Sequence, residues 1–368
     1  MGFFSGLFKK DISVLGIDVG SSSIKVVQIR KKRGRAVLET YGELALGPYG
    51  GVELGRAVAL SPEKVAEAIK DLLSAAKTTT LVCGSALPFT SSLIRFVSVP
   101  TVSRDQLADV VSLEARKYIP VPLDEVFLDF SPIPQEESFQ DEGSVSRQQS
   151  PAKMQEVLVV AIPNNYLSEY QTVMSGSGLQ PLFYEIEIFS SIRAVADHGI
   201  STIMIIDMGA RATKLYIVER GILRVSHVIN KGSQDITLAL SKALSISPDE
   251  AEAIKRAKGL RGGPEYKELT EIITLNLDYV FYEANSSLLE YEKKYQKTVG
   301  RVFLTGGGVL LKGFVDLAKA SFQTDVVYAD PFTKIETPAF MQESFTAADP
   351  SFTVAIGAAL RSLSESEG

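Results

Sequence analysis

Two stretches of this chain carry the same punctuation 189 residues apart. The first is Val14-Leu-Gly-Ile-Asp18-Val-Gly20-Ser21-Ser22-Ser23-Ile-Lys25, and the second is Ile203-Met-Ile-Ile-Asp207-Met-Gly209-Ala210-Arg-Ala-Thr-Lys214. In each an apolar run ends in Asp-x-Gly, and a lysine seven positions after the aspartate opens a second apolar run. The pattern reads as strand, tight turn, strand. A plain hairpin accounts for either turn taken alone, because Asp-x-Gly is common turn chemistry. A whole strand-turn-strand unit repeated in register instead implies two similar domains facing one another, each offering a turn to a shared cleft.

The residue types in that turn have a chemistry of their own. Gly20 allows another group to approach the backbone closely. The amides and hydroxyls of Ser21, Ser22 and Ser23, with Lys25 beside them, form a phosphate cradle. Asp18 would repel a phosphate directly, but it can hold a hydrated Mg²⁺ that bridges to one.

Composition narrows the class. The chain has 368 residues, enough for two domains, with 45% hydrophobic and 22% charged residues, as a globular protein has. A net charge of −6 argues against a nucleic-acid partner. Cys83 is the single cysteine, and His198 and His227 have no Cys or His neighbours in sequence, so a His/Cys metal site is not expected. No apolar run reaches the ~18 residues of a membrane span. A secretory signal is not recognisable, and Gly6 stands where a myristoylation start needs Ser or Thr. A cytoplasmic location is expected. Phe3, Phe4, Leu7 and Phe8 give the leader at 1–10 an apolar side that could pack on its own protein, on a partner or on a membrane surface.

Along the chain, Ala36–Leu46 reads as a third strand, and Ser61-Pro62 opens a helix with Val65, Ile69, Leu72 and Leu73 inside. Strands follow at Leu81–Leu87 and Ser92–Val99. Ser103 caps a helix with Leu107, Val110, Val111 and Leu113 as its apolar positions. Val126–Phe130 and Val157–Ile162 read as strands on either side of a polar loop at Pro134–Lys153, and a helix then starts at Asn164 or Asn165. These pieces make a small α/β insertion between Pro88 and Gly178. Leu182–Glu187 is expected as a strand and Phe189–Ala196 as a helix. After a third strand at Leu223–Val228 the chain turns helical, with helices at Gln234–Leu244, from Ser247 to Lys258, and at Leu269–Tyr295. The last of these is assigned Leu269, Ile272, Ile273, Leu277, Val280, Leu288 and Leu289 as its buried stripe. Arg301–Thr305 runs as a strand into Gly306-Gly307-Gly308, where a flat ring could lie against bare backbone. A close strand-to-helix turn explains the triplet equally well. Glu252 and Lys255 share one helix face and could hold ribose hydroxyls, or form an ordinary solvated pair. Phe352–Leu363 is a final helix with Gly357, Ala358 and Ala359 for close packing, followed by an acidic tail.

The order of these elements, from Phe8 to Leu363, resembles the actin-like ATPase superfamily, and within it the branch of the cell-division protein FtsA and the type IV pilus assembly protein PilM. The PilM side of the resemblance rests on Gly-Leu-Phe-Lys-Lys before Gly16-Ile-Asp-Val-Gly-Ser-Ser-Ser-Ile-Lys, on Arg116-Lys117-Tyr118-Ile119-Pro120, and on Gly178-Leu179-Gln180-Pro181. Gly232-Ser233-x-Asp235-Ile236-Thr237 and Ala251-Glu252-x-x-Lys255-x-x-x-Gly259 resemble the nucleotide domain that both share. The resemblance implies an α/β fold, actin-like and therefore ribonuclease H-like, with duplicated domains around an interdomain nucleotide cleft and an inserted FtsA-type subdomain. It places a first domain (IA) at 1–90 and 179–200, the insertion (IC) at 91–178, a second domain (IIA) at 201–231 and 301–368, and a helical subdomain (IIB) at 232–300.

The same resemblance implies ATP and Mg²⁺ as cofactors. Asp18, Gly20, Ser21, Ser22, Ser23 and Lys25 would form one phosphate loop, and Asp207, Gly209 and Ala210 the other. Gly306, Gly307 and Gly308 would take the adenosine, Glu252 and Lys255 its ribose or base, and Asp18 and Asp207 the Mg²⁺ through water. The implied partner is the cytoplasmic N-terminal peptide of PilN, an inner-membrane protein. Other pilus motor and platform proteins and self-association are implied as well, with membrane contact only through the partner.

Hydrolysis would need a group that holds water in line with the γ-phosphate. Glu187 holds the matching place, although alternation with Ile186 and Ile188 also describes an exposed strand carboxylate. The expected function is an ATP-binding adaptor in which nucleotide sets the conformation. The alternatives are an FtsA-like filament former with slow ATPase activity and a sugar kinase of the same superfamily.

Overall fold

The computed structural model describes residues 12–134, 154–196, 201–338 and 349–366. The apolar leader at 1–10, residues 135–153 of the polar loop, His198 and the end of the acidic tail lie outside them. Contacts divide the chain into two units, Met1–Pro88 with Thr172–Gly368, and Phe89–Gln171.

The first unit is built on two sheets with one topology. β1 (Ser13–Val19) and β2 (Ser23–Lys32) form an antiparallel hairpin, and β3 (Arg35–Ala45) adds antiparallel to β2. On the other side of β1, β4 (Val82–Leu87) and β8 (Gln180–Ile186) add in parallel, giving the order β3-β2-β1-β4-β8. The second sheet repeats this with β9 (Thr202–Met208), β10 (Thr213–Glu219), β11 (Ile222–Ile229), β12 (Val299–Thr305) and β13 (Asp325–Tyr328), in the order β11-β10-β9-β12-β13. Duplication therefore extends from the hairpins to whole sheets. The central strands β1 and β9 are continuous apolar runs because both their faces are covered.

Helices fill those faces. α1 (Pro62–Ala75) packs on β2 and β3, burying Ala68, Ile69 and Leu72. α4 (Glu187–Val195) and α9 (Thr353–Glu365) pack against each other, and α9 lies on β1, β2 and β4. A Cβ on Gly357 would stand 1.9 Å from the Ser190 carbonyl oxygen, and one on Gly16 would stand 2.0 Å from that of Ala355. Glycine at both positions is what lets α9 fit between strand and helix. This corrects the expectation that 301–368 belongs wholly with the second sheet. Phe332, Ile335, Phe352, Ala355 and Ile356 sit in the core of the first, with Val14, Val27 and Ile29. The helix also runs on through Ser364 and Glu365, which the sequence assigned to the acidic tail after it.

α5 (Ser233–Leu244), α6 (Pro248–Lys258), α7 (Lys267–Tyr295) and α8 (Phe314–Ser321) share one core with β9, β10 and β12. Ser247 caps α6 as expected: its Oγ accepts from the Glu250 amide, and the Glu250 carboxylate accepts from the Ser247 amide. Leu289 is a correction, because it faces solvent while Phe281, Ala284 and Tyr291 are buried.

In the second unit a three-stranded antiparallel sheet, β5 (Leu93–Pro100), β7 (Met154–Pro163) and β6 (Val126–Pro132), has β7 at its centre. α2 (Arg104–Ala115) buries Leu107, Val111 and Ala115 on it. Leu113 is exposed, because the helical period that buries Leu107 and Val111 carries position 113 to the opposite side. The division between units falls within α3 (Asn164–Ser177).

Candidate functional site

The two Asp-x-Gly turns have the same backbone. Gly20 N–H donates to Ser23 O at 3.0 Å, and Gly209 N–H donates to Ala212 O at 3.0 Å. Seven residues from aspartate to lysine is the spacing that places the two directly opposite across each hairpin, Asp18 against Lys25 and Asp207 against Lys214. The turn carbonyls are held from behind. Ser21 O and Ser22 O accept from the amides of Val58 and Leu46, and Gly209 O and Ala210 O accept from the first amides of α5, Ser233 and Gln234. Among the described residues the amides of Ser21, Ser22, Ala210 and Arg211 make no hydrogen bond. Each turn is thus a fixed frame with two consecutive donors to spare, the arrangement that binds anions.

The charges around the turns differ. Lys25 donates to Ser23 Oγ at 2.8 Å and pairs with Glu43 at 3.1 Å. Lys214 donates to Glu187 Oε2 at 2.7 Å and to Asp207 Oδ2 at 3.1 Å. Burial works against the charge on Lys214, but the Asp207 and Glu187 carboxylates outweigh it and hold its pKa above that of an ordinary lysine. Asp18 faces the same group. Burial raises its carboxyl from 3.8 to about 6; Lys25 and Lys214 pull it down, while Glu187 and Asp207 push it up. Glu187 is not an exposed strand carboxylate: it is the first residue of α4, buried, with its carboxylate on Lys214. Asp18, Asp207 and Glu187 therefore gather around one ammonium. Among the described residues no three His, Cys, Asp or Glu side chains are placed to hold a metal directly.

The glycine triplet follows β12, whose Thr305 lies beside Asp207 in the sheet. Gly306 has φ +86°, and a Cβ there would stand 2.4 Å from Asp207 Oδ1. Gly308 is buried against Met208. Gly307 is exposed, and its Cβ would have nothing within 4 Å. The turn is tied to the entry of α9, since Gly306 N and Thr305 Oγ1 both donate to Pro350 O.

Glu252 and Lys255 are not a solvated pair. Lys255 is buried and donates to Glu252 Oε2 (2.6 Å), Thr237 Oγ1 (2.8 Å) and Ser233 O (3.1 Å). Thr237 donates to Glu252 Oε2, and Arg256 donates to Glu252 Oε1, each at 2.6 Å. The pair locks α6 onto α5, whose first amides hold the second turn.

Three features were missed by reading the residues. Lys214 matched Lys25 in the repeat, and its place opposite Asp207 was the available signal for its role. Gln234, whose Oε1 accepts from Ala57 N at 2.6 Å, joins the loop after Gly51 to α5. That loop also reaches α6, with Gly55 beside Glu252 and Arg256. Neither contact leaves a trace in hydrophobic period.

A family model described as type IV pilus assembly protein PilM matches residues 16–363. The chain is similar to the solved PilM-PilN type IV pilus biogenesis complex, with a TM-score of 0.79 and 23% identity, over 96% of this chain and 99% of that one. It is similar to MreB5 of Spiroplasma citri bound to ADP, with a TM-score of 0.53 and 14% identity, over 97% and 99% of the two chains. Among curated proteins, cell division protein FtsA of Streptococcus pneumoniae serotype 2 is 24% identical over 201 residues, 48% of this chain and 44% of that protein. The chain thus spans less than half the length of that curated relative. At these identities the solved structures show the fold, which is α/β and actin-like.

Proposed function

The chain belongs to the type IV pilus assembly protein PilM family, and from that premise we propose that it is an ATP-binding adaptor of the pilus assembly platform. In this reading it binds the cytoplasmic N-terminal peptide of a PilN-type inner-membrane protein, and nucleotide sets its conformation. The observation that carries the reading is the reach of the family match, which takes in both Asp-x-Gly turns, the glycine triplet and the whole second unit. No helix among the described residues is long and apolar enough to cross a membrane, so the partner would bring the protein to the inner membrane from the cytoplasmic side.

The residues present fit the nucleotide. The spare amides of Ser21, Ser22, Ala210 and Arg211, with Lys25, would take the phosphates. The open backbone at Gly307 would face the adenosine. Glu252 and Lys255 would act on the ribose side, chiefly by fixing α6 and α5. Asp18 and Asp207 would hold Mg²⁺ through water, where the ion would offset phosphate charge. Glu187 would position a water in any slow hydrolysis, and in this state its carboxylate is engaged by Lys214. The division into four subdomains belongs to the same proposal, with the second domain now ending before Pro331, where the chain returns to the first sheet.

Calorimetric titration of a synthetic PilN N-terminal peptide into the purified protein, with and without Mg-ATP, tests the reading. The expected result is saturable binding whose affinity differs about 5-fold or more between the two states, the usual size of coupling between sites. Absence of binding in both states would overturn the adaptor assignment while leaving the fold as it is.

A further inference from the structure

Helix α7 carries two apolar faces, and only one is used. Leu269, Ile273, Leu277, Val280, Phe281, Ala284, Leu288 and Tyr291 are buried in the core of the second sheet. On another face Leu275, Tyr279, Tyr282 and Leu289 stand 74%, 49%, 68% and 62% exposed. With Ser286 between them they repeat at four and three residues, the spacing of a helix-pairing seam. A globular helix needs a single apolar stripe, and a contiguous exposed patch of this kind marks an interaction surface.

The charges at the two ends of the stripe name the partner. Glu271 stands one turn before Leu275 and is exposed, and Lys293 stands one turn after Leu289 and is exposed. Among the described residues the Lys293 ammonium has no ionic partner, and Glu271 meets only the solvent-exposed Lys267, at 3.6 Å, a weak surface pair that a second copy can displace. Tyr282 is the midpoint. Rotating the helix by half a turn about Tyr282 puts Leu275 opposite Leu289 and Glu271 opposite Lys293, at both ends of the seam. A parallel self-pair would set Glu271 against Glu271 and Lys293 against Lys293. The stripe is thus self-complementary in one orientation alone.

We propose that α7 pairs antiparallel with α7 of a second copy of this chain, along Leu275, Tyr279, Tyr282 and Leu289, with reciprocal Glu271–Lys293 ion pairs. Such a contact is isologous, closes at two copies and leaves no free seam for a third. A single helix face is narrower than the ~800 Å² per partner of a standard interface, so the dimer is concentration-dependent.

The test is sedimentation velocity of the full-length protein over a concentration series, with Tyr282→Glu, Glu271→Lys, Lys293→Glu and the charge-swapped pair Glu271→Lys/Lys293→Glu. The wild type should move from the 39.9 kDa monomer toward twice that mass as concentration rises. Tyr282→Glu should weaken association about 10-fold, as loss of a central anchor does, and each single charge reversal should weaken it by a smaller factor, since it sets like charges against one another at both ends. The swapped pair should return to near wild-type association. Because these positions are on the surface, circular dichroism should report an unchanged fold in all four. A wild type that is monomeric at every concentration, a dimer indifferent to Tyr282→Glu, or a swapped pair no better than the single reversals would each overturn the proposal.

Discussion

Lys214 is the cation that Glu187 and Asp207 share, and its removal is the sharpest test of how the cleft is held together. Lys214→Met keeps the length of the side chain and deletes the charge. The ammonium is 2.7 Å from one carboxylate and 3.1 Å from the other, and all three side chains are at least 85% covered. Losing one partner of a buried ion pair costs about 3–5 kcal/mol, because the remaining charge is left unpaired in a poor solvent. The Lys214 side chain keeps 15% of its surface exposed, so the lower end applies, about 3 kcal/mol at neutral pH. At ~2–4 °C per kcal/mol for a domain of this class that is a fall of roughly 6 °C or more in Tm. Urea unfolding read at constant m value would measure it. The loss should shrink in the double variant Lys214→Met/Glu187→Gln, with a coupling of ~1 kcal/mol or more. It should shrink again when Mg²⁺ is added, since a cation that binds only the folded state stabilises it by mass action. A Lys214→Met protein as stable as the wild type, with an additive double variant and no response to Mg²⁺, would refute the account of this cluster.

Asp18 makes a prediction in pH. Its folded-state pKa, about 6, lies above the unfolded 3.8, so the folded protein holds this proton more tightly. Its contribution is greatest below about pH 4 and is lost as pH rises through about 6, by at most ~3 kcal/mol at ~1.4 kcal/mol per unit. Asp18→Asn should therefore gain stability over the wild type across that window in denaturant titrations, and parallel profiles would contradict the assignment. Gly307→Leu places a side chain in open space on the glycine turn, without a strained φ. It should keep the wild-type Tm and weaken ATP at least about 10-fold, by obstructing a ring that lies on the backbone; unchanged affinity would move the adenosine elsewhere.

Much of this was legible because it is local. The seven-residue spacing from Asp18 to Lys25 and from Asp207 to Lys214 forces each pair into opposition once the hairpins form. Cap chemistry placed α6 at Ser247. The features that escaped depend on pairings that no local pattern encodes. α9 docks on β1 through Gly16 and Ala355, more than three hundred residues apart, and the small residues announce close packing without naming the surface. β13 is four residues long, too short for a period. Glu185-Ile-Glu187-Ile alternates like a strand, yet β8 stops at Ile186 and the helix begins one residue later. In a run so short, period two and period 3.6 cannot be told apart.

The duplication itself explains why the candidate site is asymmetric. Two copies of one hairpin give two turns with the same backbone bonds, each with an aspartate facing a lysine, but Ser23, which accepts from Lys25, stands where the second turn has Ala212. The difference comes from the segments into which the parallel strands of each sheet run. In the first sheet, β8 leads into α4, and α4 begins with Glu187 pointed at the other hairpin. In the second sheet the strand in the same place, β13, leads instead to Asp330 and Pro331, where the chain returns to the core of the first sheet. Lys25 turns instead to Ser23 and to the exposed Glu43, while Lys214 is drawn in between Glu187 and Asp207. One lysine is therefore buried within its own sheet, bonded to Ser23 and Glu43, and the other joins the two sheets. Beyond Glu187, α4 is fixed to α9 by Arg193, which donates to Gly357 O at 3.0 Å and pairs with Glu185.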